Sequence, residues 1–224
     1  MKTQIYFVLG PTASGKSKFA LSLANKLNGE IINADSMQIY NELSILTARP
    51  TKNDQKKINH HLYGFVKGDV RFNVQKWCEE ASKKINYLLD QNISPILVGG
   101  TGLYIESLIN GIVSIPSIPE KVKIESEKMI LKIGKENFFN LVKELDSDAM
   151  INIASNDIQR IRRIWEVNFY TNKKFSDWKK SKNKNFINLK NYKILLFLPD
   201  RKENYRRVDP VSYTHLTLPT KRIV

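Results

Sequence analysis

Eight residues near the start of this 224-residue chain carry its most specific chemistry: Gly10, Pro11, Thr12, Ala13, Ser14, Gly15, Lys16 and Ser17. They follow an apolar run, Ile5 to Leu9, and open an amphipathic one. The spacing is G-x-x-x-x-G-K-[ST] in the strand, loop, helix setting that the pattern requires. The glycines let successive backbone N–H groups turn inward around phosphate oxygens. Lys16 adds a mobile positive charge, and Ser17 offers a hydroxyl to Mg²⁺. The helix that starts there points its positive end at the anion. A glycine-containing turn with an accidental lysine shares the letters but not the setting. The loop predicts a bound phosphate chain, without saying which one or what becomes of it.

Asp35 is the next candidate. It follows an apolar run, Ile31-Ile32, at the strand end where ligands of open parallel sheets sit. There a carboxylate can accept a proton from a nucleophile, hold Mg²⁺ through water, or cap the turn with Ser36. Thr101 stands after a second buried run, Pro95 to Val98, at the start of a helix. Its oxygen can cap that helix while its proton points at an anion. The same run ends in Gly-Gly-Thr, not in the Asp with which many phosphate-loop NTPases organise Mg²⁺. That weakens the ATPase and motor readings. It leaves phosphotransferases, and enzymes that grip a leaving diphosphate.

Arg160, Arg162 and Arg163 form a third group. On a helix, Arg160 and Arg163 share a face opposite Ile158, Ile161 and Trp165, with Gln159 four residues before Arg163. One face packs and the other offers charge to phosphates, or is simply solvated. His60-His61 lacks partners at metal-ligand spacing and reads as structural or hydrogen-bonding. The Lys-rich stretch from Lys173 to Lys190 supplies diffuse attraction to polyanions, with Trp178 as a small hydrophobic anchor within it.

The elements that must position these residues alternate. A helix is expected from Lys16 to Asn28 with Phe19, Leu23 and Leu27, and Ala20 and Ala24 beside them, as its buried stripe, then a strand from Glu30 to Ala34. Residues 41–71 read as loop and short helix. A long helix capped by Asn73 runs to Asp90, followed by the Pro95–Val98 strand and a helix to Asn110-Gly111. Such alternation predicts an α/β fold, a P-loop NTPase-like parallel sheet flanked by helices. Pro116 and Pro119 mark a change to a charged, helix-prone stretch, with Asn156 and Gln159 as a capping pair for a helix to Tyr170. Tyr192 to Leu198 returns as a strand, and Asp200 to Val208 begins a helix. The expected division is therefore a core at 1–115, an α-helical insertion domain at 116–190, a return strand and helix start at 191–210, and a tail at 211–224. The tail carries no acid and no helical stripe, and reads as non-native sequence on a truncated chain, with a real C-terminal tail as the alternative.

Bulk properties set the outer bounds. Net charge is +14, from 36 Lys and Arg against 22 Asp and Glu. Residues 1–115 contribute 13 basic and 9 acidic, and the remainder 23 and 13. A basic half beside a phosphate-binding half points to a polyanionic partner, while the Asn-rich company of many lysines points instead to an AT-rich genome. No apolar stretch approaches the roughly 20 residues of a membrane span, and no leader is expected. The single Cys78 rules out an internal disulfide and fits a cytoplasmic protein.

Together these segments resemble a family. The loop from Gly10 to Ser17, Asp35-Ser36-Met37-Gln38-Ile39-Tyr40, His60-His61-Leu62, Val98-Gly99-Gly100-Thr101-Gly102-Leu103-Tyr104 and Asn156 to Arg163 occur in the order and spacing of the tRNA dimethylallyltransferases. The likeness runs from about residue 4 to residue 208. It implies transfer of a dimethylallyl group from dimethylallyl diphosphate to N6 of the adenosine beside the anticodon, with Mg²⁺ as cofactor and tRNA as partner, in a cytoplasmic monomer. It implies that Lys16 and Ser17-bound Mg²⁺ hold the diphosphate, that Thr101 bonds its bridging oxygen, and that Asp35 takes the N6 proton. Asp35, Ser36, Met37, Gln38, Thr101, Lys123, Gln159, Arg160, Ile161, Arg162 and Arg163 match its tRNA-contacting positions. Arg49 stands where the family has Lys, and the family's later basic segment and C-terminal helices have no counterpart. Two other readings stand beside it: a small-molecule or nucleoside kinase binding ATP, and an inactive RNA-binding truncation.

Overall fold

Strands that are apolar on both faces can be buried only between two layers of helix, and this chain builds that arrangement. The computed structural model describes residues 3–181, 183–187 and 191–216. It divides into two units, Met1–Gly111 with Asn185–Val224, and Ile112–Lys184.

The first unit runs β1 (Ile5–Leu9), α1 (Lys16–Leu27), β2 (Gly29–Asn33), α2 (Lys52–Lys57), β3 (His60–His61), α3 (Val74–Asp90), β4 (Ser94–Gly99) and α4 (Gly102–Asn110). The second holds α5 (Glu120–Ile133), α6 (Lys135–Leu145), α7 (Ser147–Met150), α8 (Ile158–Thr171) and α9 (Phe175–Lys179). The chain then returns to the first with β5 (Tyr192–Leu196) and α10 (Arg201–Leu216). The sheet is wholly parallel, in the order β3-β2-β4-β1-β5.

One face of the sheet packs Phe7, Ile32 and Leu97 against Trp77, Ile85, Leu88 and Leu108 from α3 and α4. The other packs Val8, Ile31, Ile96 and Val98 against α1. There the expected stripe holds at its alanines and not at Phe19. Ala20 and Ala24 are the residues that α1 buries, while Leu23 and Leu27 are half-buried and Phe19 leans outward onto Phe197, ring centres 5.0 Å apart. Small side chains let this helix lie close on the sheet, so the contact line follows the alanines instead of the largest residues. Asn73 caps α3 as expected, its Oδ1 accepting from the Lys76 N–H at 2.9 Å.

Three other expectations change. Residues 60–61 form a strand within the stretch read as loop, and two residues are too few to carry a period. β5 ends at Leu196, although the Phe197 N–H still bonds the Leu9 carbonyl at 2.8 Å. The backbone of α10 continues past Val208 to Leu216, so Pro210 removes a donor without ending the helix. Residues 217–224 of the tail, and Lys182 and Lys190 of the basic stretch, lie outside the described residues. Among the described residues no helix is long and apolar enough to cross a membrane.

The second unit has its own core, built on Val122, Phe138, Val142, Met150, Ile161, Ile164 and Trp165. Its ends are joined by paired backbone bonds between Ile112 and Lys184, at 3.3 and 2.8 Å. The units divide at 112 and 184, where the prolines suggested 116 and the returning strand suggested 190. Asp157, not Asn156 with Gln159, caps α8 by accepting from the Arg160 N–H at 3.2 Å, because it directly precedes the first helical residue.

Asp146 ties this unit together. Its fully buried carboxylate accepts the Ala149 N–H at 3.2 Å and the Ser176 N–H at 3.0 Å. Burial alone would raise its pKa, but these bonds prevail and hold it below the ordinary value of 3.8. Asp146→Ala should destabilise the protein by roughly 2 kcal/mol at neutral pH, since it orphans two buried donors. A depressed carboxylate stabilises above its unfolded pKa and loses that contribution as pH falls through the folded one. The gap between wild type and variant in urea unfolding should therefore stand at pH 7 and shrink at pH 3.

Candidate active site

The carboxyl ends of β1, β2 and β4 meet on one rim of the sheet. The Gly10 N–H bonds the carbonyl of Gly99 at 3.3 Å, which joins the phosphate loop to the end of β4. Within the loop, Ala13 and Gly15 both take left-handed backbone, with φ of 61° and 86°. Left-handed residues one apart curl the chain so that its N–H groups turn to one side. No side chain caps α1. Its first N–H groups are thus left for an outside acceptor, and the helix dipole favours an anion there. The Ser14 hydroxyl is buried without a partner among the described residues. Lys16 lies over the loop, its Nζ donating to the Pro11 carbonyl at 2.9 Å. Burial lowers the Lys16 pKa while the Asp35 carboxylate works the other way. Loop, lysine and orphan donors form a cradle whose chemistry suits an anion.

Asp35 leaves the end of β2 in a tight turn. Its Oδ1 accepts the Met37 N–H at 2.8 Å and the Gln38 N–H at 3.4 Å, and its Oδ2 has no hydrogen-bond partner among the described residues. Thr101 does not cap α4 as expected. Its Oγ1 instead accepts the Ser36 N–H at 3.0 Å, across to the neighbouring strand end. Its own hydroxyl faces the Ser36 Oγ at a long 3.4 Å. The crossing is close: a Cβ at Gly99 would lie 2.1 Å from the Ala34 carbonyl oxygen. Met37 is exposed, and the Gln38 side-chain amide donates to the Thr47 carbonyl at 2.7 Å.

Beside Ser17 a cavity of about 540 Å³ opens between α1 and residues 44–54, with Leu21, Ile31, Val98, Tyr63 and Arg49 in its wall. Arg49 donates to the Asn41 carbonyl at 2.9 Å. Its guanidinium occupies the place that a Cβ on Gly64 would take, and Gly64 itself is left-handed at φ +55°. His60 and His61 take the hydrogen-bonding role. His61 Nε2 meets Glu30 Oε2 at 2.5 Å, and His60 Nδ1 meets the Ile58 carbonyl at 2.7 Å. Among the described residues no three His, Cys, Asp or Glu side chains group as a metal site.

The remaining candidates belong to the second unit. Arg160 is exposed and pairs with Asp157 at 3.3 Å, and Gln159 is exposed beside it. Arg163 is half-buried, and burial lowers its pKa against the pull of Glu166. Arg162 turns inward. It contacts Glu127 at 2.9 Å, the buried Glu166 at 3.4 Å, Ser126 Oγ at 3.1 Å and the Lys123 carbonyl at 3.2 Å. Ile161 is wholly buried, so its side chain serves the core and not a ligand. Lys123 Nζ pairs with Glu120 at 2.8 Å. Trp178 is the expected anchor, its Nε1 donating to Thr171 Oγ1 at 3.2 Å with Lys173 over its ring. Sequence reasoning missed Asn33, whose fully buried side chain bonds both the N–H and the carbonyl of Asp35. The one signal was a polar residue ending an apolar strand.

Parallel sheet, phosphate-loop sequence at the end of β1 and helices on both faces define a P-loop-like α/β fold. Two family models match the chain: IPP transferase over residues 38–210, and isopentenyl transferase over residues 3–68. The chain belongs to the IPP transferase family. It is 49% identical over 177 residues to the tRNA dimethylallyltransferase of Pelagibacter ubique, covering 79% of this chain and 56% of that one. It is 41% identical over 204 residues to that of Bartonella henselae, covering 91% and 70%. It thus spans between about half and just over two thirds of these relatives' length. Among solved structures, a eukaryotic dimethylallyltransferase acting on tRNA matches with TM-score 0.78 and 27% identity, over 96% of this chain and 53% of that one. The tRNA isopentenylpyrophosphate transferase of Staphylococcus epidermidis matches with TM-score 0.56 and 28% identity, over 96% and 71%.

If the cradle holds a diphosphate, Lys16→Ala should weaken binding of inorganic pyrophosphate by about tenfold or more. Titration calorimetry at fixed Mg²⁺ measures this directly.

Proposed function

We propose that this chain transfers a dimethylallyl group from dimethylallyl diphosphate to N6 of the tRNA adenosine beside the anticodon, position 37, as a cytoplasmic monomer. The observation that carries the reading is Asp35. It stands near enough to Lys16 for their charges to interact, with one carboxylate oxygen uncommitted among the described residues and Thr101 linked to it through Ser36.

The adenine N6 amine is a weak nucleophile because its lone pair is delocalised into the ring. As N6 attacks the allylic carbon, the carbon–oxygen bond breaks and its electron pair leaves with diphosphate. Asp35 takes the N6 proton as the new bond forms. Lys16 and the loop N–H groups meet the charge that develops on the leaving oxygens, and Thr101 can donate to the bridging one. Ser17 is exposed at the start of α1. With the diphosphate oxygens and water it would hold Mg²⁺, which keeps much of its hydration and needs few protein ligands. When bound, Mg²⁺ supplies further neutralisation of the leaving group. The adenosine must leave its stack to reach the carbon. Asp35 to Gln38 and Thr101 lie on the rim it would approach. Lys123, Gln159, Arg160 and Arg163 supply the second unit's contacts, with Arg162 bracing them from within. ATP-dependent phosphorylation of a small acceptor is the reading this displaces.

The test incubates the protein with unmodified tRNA and dimethylallyl diphosphate, then with ATP and candidate hydroxyl acceptors. Prenylated adenosine is expected, and phosphorylation without prenyl transfer would overturn the proposal. Asp35→Ala should lower turnover about 10²–10⁴-fold while leaving pyrophosphate affinity intact, and near-normal turnover by that variant removes Asp35 from the role. Arg160→Ala should weaken tRNA binding and reduce the slope of log affinity against log salt by about one. A filter-binding series from low to moderate salt reads both.

A further inference from the structure

Asn33 is the last residue of β2, and its side chain is fully buried. A buried carboxamide must place two donors and an acceptor. The acceptor and one donor serve the turn that carries Asp35. Asn33 Oδ1 accepts the Asp35 N–H at 3.0 Å, and Nδ2 donates to the Asp35 carbonyl at 2.9 Å. A single side chain thus holds both backbone polar groups of Asp35, which fixes the direction of its Cα–Cβ bond. The Oδ1 bond from Met37 then fixes the carboxylate's rotation. Nδ2 also donates to the Leu62 carbonyl at 3.0 Å, where the chain leaves β3 in left-handed backbone at φ 62°. From below, the indole N–H of the buried Trp77 donates to the Asn33 carbonyl at 3.0 Å.

These contacts form one chain of positions. Gly64 and Val66, just beyond Leu62, bond back to the carbonyls of Gln38 and Ile39 at 2.9 and 3.0 Å. The turn after Asp35 is therefore pinned on two sides, and the Ser36 N–H that meets Thr101 inherits its place from the same clamp. We infer that Asn33 is a positioning residue that aims the Asp35 carboxylate and, through Ser36, sets its register with Thr101. The inference rests on the proposed prenyl transfer for its kinetic consequence but not for its structural one. A shift of about 1 Å in a reacting group can cost about 100-fold in rate.

Two variants and two measurements test it. Asn33→Ala removes all three bonds, and Asn33→Ser keeps a group able to satisfy one. With tRNA and dimethylallyl diphosphate, kcat should fall about 100-fold in Asn33→Ala and less in Asn33→Ser, with KM for both substrates and pyrophosphate affinity unchanged. By amide hydrogen exchange, the Asp35 N–H should lose at least tenfold in protection in Asn33→Ala and less in Asn33→Ser. The Ala34 N–H, which bonds the Val98 carbonyl at 2.8 Å, should keep its protection. Unchanged kcat, or equal loss of protection at Ala34 and Asp35, overturns the inference, the latter by showing a merely structural role. If wild type transfers no prenyl group, the function proposal fails and the exchange experiment still decides the clamp. If Asn33→Ala does not fold, Asn33→Ser carries both measurements.

Discussion

Where β4 leaves the sheet, its backbone passes almost against the end of β2. At Gly99 even one methyl carbon would sit inside the van der Waals radius of the Ala34 carbonyl oxygen. The phosphate loop depends on the same point, since Gly10 bonds the Gly99 carbonyl, and a Cβ at Gly10 would lie only 2.6 Å from the Phe197 carbonyl oxygen. Thr101 reaches the turn after Asp35 only because this crossing is so close, and its own N–H bonds the Ala34 carbonyl at 3.3 Å. Three strand ends share one rim because two glycines remove the side chains that would hold them apart. Any residue larger than glycine at position 99 must separate the carboxylate from the threonine.

The electrostatics of the rim follow from what the loop leaves undone. The N-terminus of α1 has no side-chain cap, Ser14 keeps a buried hydroxyl without a partner among the described residues, and Lys16 rests on a carbonyl of its own loop. Each is a modest cost that an anion can reverse. Burial lowers the Lys16 pKa and the Asp35 carboxylate opposes that effect. A positive cradle beside a carboxylate suits a reaction in which negative charge leaves on one side and a proton is taken up on the other.

The basic helix of the second unit is less uniform than its letters suggest. Arg162 answers a buried Glu166 together with Glu127, and Ser126 bridges the two sides, donating to Glu166 at 2.9 Å. Removing one partner of such a set strands a charge, so Arg162 holds the fold of the unit. Arg160 and Gln159 remain outside it. Net charge counts all these arginines alike, whereas their chemistry divides them.

Much of the architecture was legible in the residues. The order of strands and helices, the phosphate loop, the Asn73 cap and Asp35 at a strand end follow from local pattern, because period, capping and turn chemistry act over a few positions. The buried face of α1 was legible at Ala20 and Ala24, but the outward turn of Phe19 was not, since it depends on how closely the helix approaches the sheet. Nor was the two-residue β3, which exists only because Ile31 and Ile32 offer it a partner. Thr101 looks like a cap in sequence and becomes a cross-strand acceptor in space. Asn33 looks like the polar end of an apolar strand and proves to hold the backbone of Asp35 at both sides. The sequence by itself determined the phosphate-loop pattern in its strand, loop, helix setting and which family the chain resembles. Only the tertiary structure decided which atoms remain uncommitted there, because a hydrogen-bond partner is chosen by distance in space and not by separation along the chain.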